Sequence, residues 1–182
     1  MCGEIDRNSL KLRELRIKDV PYMLEWMHNE NVVGYLESNF LDKTSEECKK
    51  FILDAEKEYK KNKPFYIHYA IASIQDDEYL GTVSLKNICF QKRAAEFAIA
   101  VRRKAMGTGA ASFAMHSMIE RGFSCYHLKY IYWYVATENK RAVRFYQKNG
   151  YQQVEEKDLD QIIGRRILND KNYIWYIRMG LD

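Results

Sequence analysis

The first third of the chain combines one strand pattern with two helical patterns. Residues 10–17 roughly alternate apolar and charged side chains, which predicts a half-exposed strand. Residues 18–27 carry apolar side chains at helical spacing, with a proline in the first turn, where it is tolerated. We expect a short helical turn and a loop within residues 29–40. Thr44 and Glu47 form a capping box, which predicts the start of an amphipathic helix.

The middle of the chain is rich in Tyr, Ile, Val and Thr, residue types that are common in strands. Residues 65–74 and 79–88 are separated by four polar residues, so we predict an antiparallel hairpin. Residues 94–101 follow a second polar connection. They add a third strand to this meander.

The second half alternates between strands and helices. Gly107-Thr108-Gly109 leads into a long helical pattern, and residues 130–135 form the unbroken apolar run of a strand buried on both faces. Asn139 can cap a further helix. The last two strand patterns lie at residues 151–155 and 173–179. This order of elements predicts a mixed α/β fold.

Composition narrows the class of protein. A chain of 182 residues with 47% hydrophobic content has the usual size of one domain, so we expect residues 1–182 to form a single domain. The net charge of +4 does not by itself indicate nucleic-acid binding and suits the phosphates of a nucleotide cofactor equally well. Neither a secretory signal nor a run of transmembrane length is apparent, so we expect a cytoplasmic protein that does not act at a membrane. The four cysteines are widely spaced and indicate neither a zinc site nor a disulfide framework.

The strongest local signal is a candidate anion-binding loop. A strand runs through Arg102, Arg103 and Lys104 into a glycine turn that precedes a helix. Because Gly107 and Gly109 lack side chains, backbone N–H groups there can approach phosphate oxygens, and the helix adds roughly half a positive charge at its N-terminus. The turn matches neither the nucleoside-triphosphate loop nor the dinucleotide fingerprint. A plain turn is the alternative interpretation.

The chain resembles the GNAT superfamily of N-acetyltransferases. That family has a loop of the form Gln/Arg-x-x-Gly-x-Gly/Ala, and Lys104-Ala105-Met106-Gly107-Thr108-Gly109 departs from it at the first position, where lysine keeps the positive charge. The family also has an Asn, then a Tyr, then Lys-x-Gly-Phe, and these places hold Asn139, Tyr146 and Lys148-Asn149-Gly150-Tyr151. Arg93-Ala94-Ala95-Glu96-Phe97 is similar to the branch of ribosomal-protein and spermidine acetyltransferases.

The resemblance implies a fold and a cofactor. It implies a mostly antiparallel, splayed sheet of about seven strands flanked by about four helices, with acetyl-coenzyme A (acetyl-CoA) between the strand that contains Glu96 and the strand that begins near Tyr130. The glycine loop would grip the pyrophosphate. The residues expected to bind the cofactor are Ile99, Val101, Arg102, Arg103, Lys104, Met106, Gly107, Thr108, Gly109, Ala110, Asn139 and Tyr146.

The same resemblance implies direct transfer of the acetyl group to a primary amine within a ternary complex. An ammonium group has a pKa of about 10, so a base must remove a proton before the amine can attack. Glu96 is the candidate base, since it shares a strand face with the small residues Ala98 and Ala100. The alternative interpretation is a surface ion pair with Lys92 or Arg93.

Three further roles concern the oxyanion, the leaving thiolate and the residue Asn139. A free backbone N–H near residues 99–101 can stabilise the oxyanion. Tyr146 is the implied proton donor to the leaving thiolate, and packing in the core beside Val143 is its alternative. Asn139 can cap its helix, contact the cofactor, or do both.

The acceptor and the alternative functions stay open. A small-molecule or peptide amine is expected, and a protein N-terminus, a polyamine and an amino sugar all fit. Tyr22, Trp26, His28 and Tyr35 can line an acceptor pocket or pack in the core. A non-catalytic module that binds acyl-CoA as a sensor is the second function, and a nucleic-acid-binding domain ranks last because the basic residues cluster at one loop and one helix start. No metal is implied, and the sequence does not decide whether the chain forms a homodimer.

Overall fold

A seven-stranded sheet forms the centre of the computed structural model, which describes residues 9–36, 38–163 and 172–180. The strands lie in the order β1-β2-β3-β4-β5-β7-β6, and every neighbouring pair is antiparallel except β4 and β5. Their bounds are β1 Leu10–Glu14, β2 Ile67–Ser73, β3 Tyr79–Cys89, β4 Ala94–Val101, β5 Tyr130–Ala136, β6 Gln152–Val154 and β7 Tyr173–Met179.

Six α-helices accompany the sheet in the described part of the chain. They are α1 Val20–Met27, α2 Glu30–Val33, α3 Ser45–Tyr59, α4 Ala110–Tyr126, α5 Lys140–Lys148 and α6 Glu156–Ile163, with 3-10 turns at Ile17–Asp19 and Arg103–Ala105. The predicted capping box begins α3, because the Thr44 side chain accepts from the Glu47 N–H and the Glu47 carboxylate accepts from the Thr44 N–H. Within these residues, no helix is long and apolar enough to cross a membrane.

The two faces of the sheet carry different helices. Side chains alternate along β4, so that Phe97 and Ile99 belong to a core shared with α4 and α5. Ala100, on the other face, packs in a core with α1, α2 and α3. Ala94, also on that face, packs in a third core with α6. The site described below lies where the helices of both faces approach the same two strands.

The two parallel strands separate before they end. The ladder between β4 and β5 has three residue pairs and stops at Glu96 opposite Tyr132. Beyond that point β4 pairs with β3 as far as Val101, whereas β5 pairs with β7 as far as Ala136. Alternate residues of β4 therefore direct backbone N–H and C=O groups into a gap in the sheet.

The structure confirms the predicted fold class and corrects two details. The first strand ends at Glu14, and the following residues form a 3-10 turn instead of continuing the strand to Ile17. Six α-helices are present in the described residues instead of about four, because α6 was not among the expected elements and the helical turn expected within residues 29–40 forms a separate helix, α2. The expected splayed, mostly antiparallel sheet of seven strands is present.

Candidate active site

The gap between β4 and β5 opens into a cleft of about 260 Å³. Both strands contribute to its walls, together with the loop after β4 and the first turns of α4 and α5. Its lining brings together many of the residues singled out from the sequence, namely Glu96, Ile99, Val101, Met106, Gly107, Asn139 and Tyr146.

The glycine loop presents backbone groups to this cleft. Gly107 and Gly109 have φ angles of 79° and 93°, which are left-handed conformations that glycine adopts without strain. The buried Thr108 side chain fixes the loop by donating to the Ala105 carbonyl at 2.8 Å. A Cβ added at Gly107 would meet no atom within 4 Å, so this part of the loop borders open space. The N–H groups of the first turn of α4 have no partner within the helix, which leaves them available to an anion.

Arg102 does not reach the loop, contrary to the sequence expectation. Its guanidinium is buried against the other face of the sheet, where it donates to Glu25 at 3.1 Å, to Glu78 at 2.8 Å and to the Tyr79 carbonyl at 2.9 Å. The ring of Tyr22 lies 4.5 Å from the guanidinium carbon. These contacts tie α1 to the β2–β3 turn, so Arg102 holds the scaffold together and is not brought to the phosphate loop.

The other two basic residues of the loop are exposed. Lys104 forms an ion pair with Glu78 at 2.6 Å, outside the cleft. Arg103 lines an outer groove of about 750 Å³ that shares residues with the cleft, including Met106 and Asn139. Lys140 and Arg141 also line this groove. Three cations therefore border this groove with two carboxylates, those of Glu30 and Glu138, which leaves a net positive lining that can attract phosphates.

Glu96 is buried at the point where β4 and β5 separate. Its carboxylate forms an ion pair with Lys86 at 2.7 Å and accepts from the Asn87 amide at 2.9 Å. The alternative of a surface ion pair with Lys92 or Arg93 is wrong, because those side chains donate to the carbonyls of Ile163 and His127 respectively. Glu96 is therefore held in place inside the cleft.

Tyr146 lies against a group of aromatic rings at the α5 side of the cleft. The ring centroids of Trp133 and Tyr176 are 5.6 and 4.9 Å from its own. Burial raises the pKa of Tyr146 well above its ordinary value, so the phenol stays protonated at neutral pH. The sequence argument assumed an ordinary phenol pKa, and proton transfer to a thiolate is less favourable than that assumption implied. Tyr146 both lines the cleft and packs in the core, so its two interpretations do not exclude one another.

Asn139 caps α5 in the expected way. Its side-chain oxygen accepts from the Ala142 N–H at 3.1 Å. The same residue lines both the cleft and the outer groove. The cap is therefore present, and the side chain also stands where a ligand of the cleft would pass.

A second cavity, of about 380 Å³, lies on the face of the sheet covered by α1 and α3. We call it the inner cavity. It shares Leu36, Lys86, Ala98, Ile99 and Ala100 with the cleft, so the two spaces meet beside the free part of β4. Its remaining lining is half apolar or aromatic and half polar or charged, and consists of Met23, Trp26, Met27, Ser38, Phe40, Lys43, Glu47, Cys48, Phe51, His68, Thr82 and Ser84.

Two of the four aromatic residues considered for an acceptor pocket line these spaces. Trp26 lies in the inner cavity, where its indole donates to the Tyr79 hydroxyl at 3.0 Å. Tyr35 borders the cleft and the outer groove. Tyr22 instead contacts Arg102, and His28 is hydrogen-bonded to a loop carbonyl.

His68 is a site residue that the sequence argument missed. It lies on β2, is 7% exposed, and shares a 2.7 Å hydrogen bond with Ser84 through its Nδ1 atom. Burial, with a smaller contribution from Lys86, lowers the pKa of His68 to about 4, so the imidazole is neutral at pH 7. Strand alternation could have placed it, since His68 and Ala70 share the face of β2 that α1 and α3 cover.

The arrangement agrees with a family match. Residues 9–152 match the family described as an acetyltransferase (GNAT) domain, which covers most of the chain. The chain belongs to the GNAT acetyltransferase family.

Named relatives of this acetyltransferase act on polyamines. It is 28% identical to a spermidine N(1)-acetyltransferase of Vibrio cholerae serotype O1 over 156 residues, 84% of this chain and 83% of the relative. It is also 28% identical to the spermidine N(1)-acetyltransferase of Escherichia coli K12, over 79% of this chain and 73% of the relative.

Solved structures share the fold. The Vibrio cholerae spermidine N-acetyltransferase in complex with CoA and spermine superposes with a TM-score of 0.72 at 22% identity, covering 94% of this chain and 96% of that one. Apo FdhC, described as a nucleotide-linked sugar GNAT, gives 0.71 at 18% identity, covering 94% of this chain and 87% of that one.

Acetyl-CoA is the acetyl donor of this GNAT acetyltransferase, which transfers the acetyl group to an amine. The residues present fit that donor: the gap beside β4 can admit a thioester, and the open space at Gly107 leaves room for a diphosphate against backbone N–H groups. Among the described residues, no cluster of His, Cys, Asp and Glu could hold a metal ion.

Proposed function

We propose that this acetyltransferase moves the acetyl group directly from acetyl-CoA to a primary amine, with both substrates bound at once. The donor occupies the cleft between β4 and β5, and the amine enters through the inner cavity. The observation that carries the proposal is the early end of the β4–β5 ladder, because it joins the two spaces beside Glu96.

The reaction needs a base before bond formation. We assign this role to Glu96, acting directly or through a water molecule on the incoming ammonium. The ion pair with Lys86, which lines both spaces, and the hydrogen bond from Asn87 orient the carboxylate within the cleft. The neutral amine then attacks the acetyl carbonyl carbon, and a C–N bond forms.

The tetrahedral intermediate collapses with cleavage of the C–S bond. An unpaired N–H of β4 within residues 99–101 stabilises the oxyanion, since this part of the strand lies beyond the ladder with β5. The electron pair leaves with sulfur, and the thiolate takes a proton from Tyr146 or from water that this hydroxyl orients. The nitrogen, which became positively charged on attack, gives up its second proton to the Tyr146 oxygen or to that water, so that both are neutral again at the end. The products are an N-acetylated amine and CoA, with no acetyl group attached to the protein.

The base assignment is tested by Glu96→Gln. Because general acid–base catalysis contributes typically 10²–10⁴-fold, kcat should fall on the order of 10²-fold, whereas the Kd for acetyl-CoA should change by less than about twofold. Thiol release measures the rate and calorimetry the binding. Glu120→Gln, on the exposed surface of α4, is the control with the same chemical change. A Glu96→Gln enzyme with the wild-type rate would rule out Glu96 as the base.

The proton-donor assignment is tested by Tyr146→Phe. We expect kcat to fall by about tenfold to 10²-fold with little change in stability, since the ring and its packing are kept. Tyr151→Phe is a matched control, because the Tyr151 ring also contacts Trp133 but does not line the cleft. Equal rates for the two variants would exclude a role for the Tyr146 hydroxyl.

The acyl-CoA sensor is the less favoured function. A sensor does not need a buried carboxylate in a cleft that adjoins a second cavity, and thiol release in the presence of an amine would exclude a sensor. A single domain and a cytoplasmic location stay predictions from the sequence. The sequence makes no choice between a monomer and a homodimer.

A further inference from the structure

The inner cavity has polar groups on its floor that are neutral. His68 of β2 lies opposite Ser84 of β3, which lies opposite Ala98 of β4. Two residues further along these strands, on the same face of the sheet, Thr82 lies opposite Ala100. The two alanines leave space above the sheet beside the polar side chains.

His68 and Ser84 together offer hydrogen bonds of both kinds. If the serine hydroxyl donates to Nδ1, the ring carries its proton on Nε2 and the serine oxygen can still accept. If Nδ1 donates to the serine, Nε2 can accept a hydrogen bond and the serine hydroxyl can donate one. In either tautomer the pair has one donor and one acceptor beyond its own 2.7 Å hydrogen bond. This combination matches a hydroxyl group, which both donates and accepts.

The walls around this pair suit a compact, uncharged skeleton. The Phe51 ring, which lines the cavity, lies 4.5 Å from the His68 imidazole between centroids. Trp26 and Phe40 also line the cavity, with ring centroids 5.2 Å apart. Such walls favour apolar ring faces.

The charges of the lining do not suit several ammonium groups. Among the described lining residues of the inner cavity, the carboxylate is that of Glu47, and Lys43 pairs with it at 2.7 Å. Glu96 in the adjoining cleft is likewise paired, with Lys86. A polyamine would bring two ammonium groups besides the reacting amine, and among the described lining residues each carboxylate already has a lysine partner.

We propose that the acceptor is a monoamine on a compact, hydroxyl-bearing skeleton, such as an amino sugar, and that the His68–Ser84 pair binds one of its hydroxyl groups. This inference rests on the proposed function, since it names the substrate class of the same site. It differs from the polyamine named for the relatives.

The test compares three amines at saturating acetyl-CoA by thiol release. Glucosamine is a compact monoamine with hydroxyl groups, cyclohexylamine is a compact monoamine without them, and spermidine is a polyamine. We expect kcat/KM for glucosamine to exceed that for spermidine at least tenfold. Equal values, or a preference for spermidine, overturn the inference. Acetylation of spermidine would at the same time uphold the proposed transfer to an amine, so the two failures are distinguishable.

A variant tests the hydroxyl contact separately. Ser84→Ala removes one member of the pair with a small change in volume and should raise the KM for glucosamine by about two- to tenfold, the value of one neutral hydrogen bond. The KM for cyclohexylamine should stay within twofold. Ser73→Ala is the control with the same chemical change, since Ser73 lies on the neighbouring strand β2 but lines neither the cleft nor the inner cavity. If Ser84→Ala raised the KM values for glucosamine and cyclohexylamine by the same factor, recognition of a hydroxyl group by the pair would be contradicted.

Discussion

The His68 imidazole is a buried base in a pocket of aromatic rings. Its environment holds the pKa at about 4, compared with about 6.5 in an unfolded chain. Lys86 lowers the pKa and Glu58 raises it, but burial is the larger cause. The unfolded chain therefore binds more protons than the folded chain between pH 6.5 and pH 4.

This difference predicts a pH-dependent stability. The free energy of unfolding should fall as the pH drops below 6.5, by about 2 kcal/mol between pH 7.5 and pH 5, and no further once the pH is below 4. Denaturant unfolding of the wild type and of His68→Gln at both pH values isolates the effect, because the variant lacks the titrating group. His116→Gln, an exposed histidine of α4, is the control. A wild type and His68→Gln with the same pH dependence would contradict the assigned environment.

Individual residues show which parts of the candidate site could be predicted from the sequence and which could not. Glu96 and Tyr146, singled out by alternation and by the family motif, both line the cleft, and their catalytic roles stay predictions. Arg102 was assigned to the phosphate loop because it is adjacent to it in sequence. The alternation that puts Ala98 and Ala100 on the α1 face puts Arg102 there as well, next to Glu25. At the end of β4, the alternation of side chains therefore predicts the position of Arg102 better than its adjacency to the glycine loop does.

Elements with strong local signals were predicted closely. β4 and β7 have the predicted bounds, and α3 begins at its predicted capping box. The helix α6 was missed because it is two turns long, although its apolar residues Leu159, Ile162 and Ile163 have helical spacing. The point at which β4 and β5 separate has no local signal, because it depends on how two distant strands pair.

The start of α5 gives a prediction at this scale. Asn139→Asp keeps a side-chain oxygen for the Ala142 N–H, so the cap and the melting temperature should be preserved. The added negative charge stands at the cleft and should weaken acetyl-CoA binding several-fold. Asn139→Ala should instead lose about 1 kcal/mol of stability, because the cap is removed. Calorimetry and thermal unfolding measure the two effects, and unchanged acetyl-CoA affinity in Asn139→Asp would limit Asn139 to capping.

At the scale of the whole molecule, the proposed function has one sheet serve two substrates from its two sides. The donor loop and α5 belong to one face, and the inner cavity lies on the other. The two meet where the sheet opens between β4 and β5. The fold class and the loop could be predicted from the sequence, but the inner cavity could not, because it depends on how α1 and α3 pack against β2, β3 and β4, which no local pattern encodes.

The central claim is that acetyl-CoA binds against the glycine loop at this opening. Calorimetric titration of acetyl-CoA into the wild type, Gly107→Ala and Gly150→Ala tests it directly. Both glycines have positive φ angles, of 79° and 68°, and neither added Cβ would meet an atom within 4 Å, so the two variants should lose similar stability. We predict that Gly150→Ala keeps the wild-type affinity and that Gly107→Ala weakens binding at least tenfold. No detectable binding to the wild type, or equal affinities for the two variants, would contradict the account.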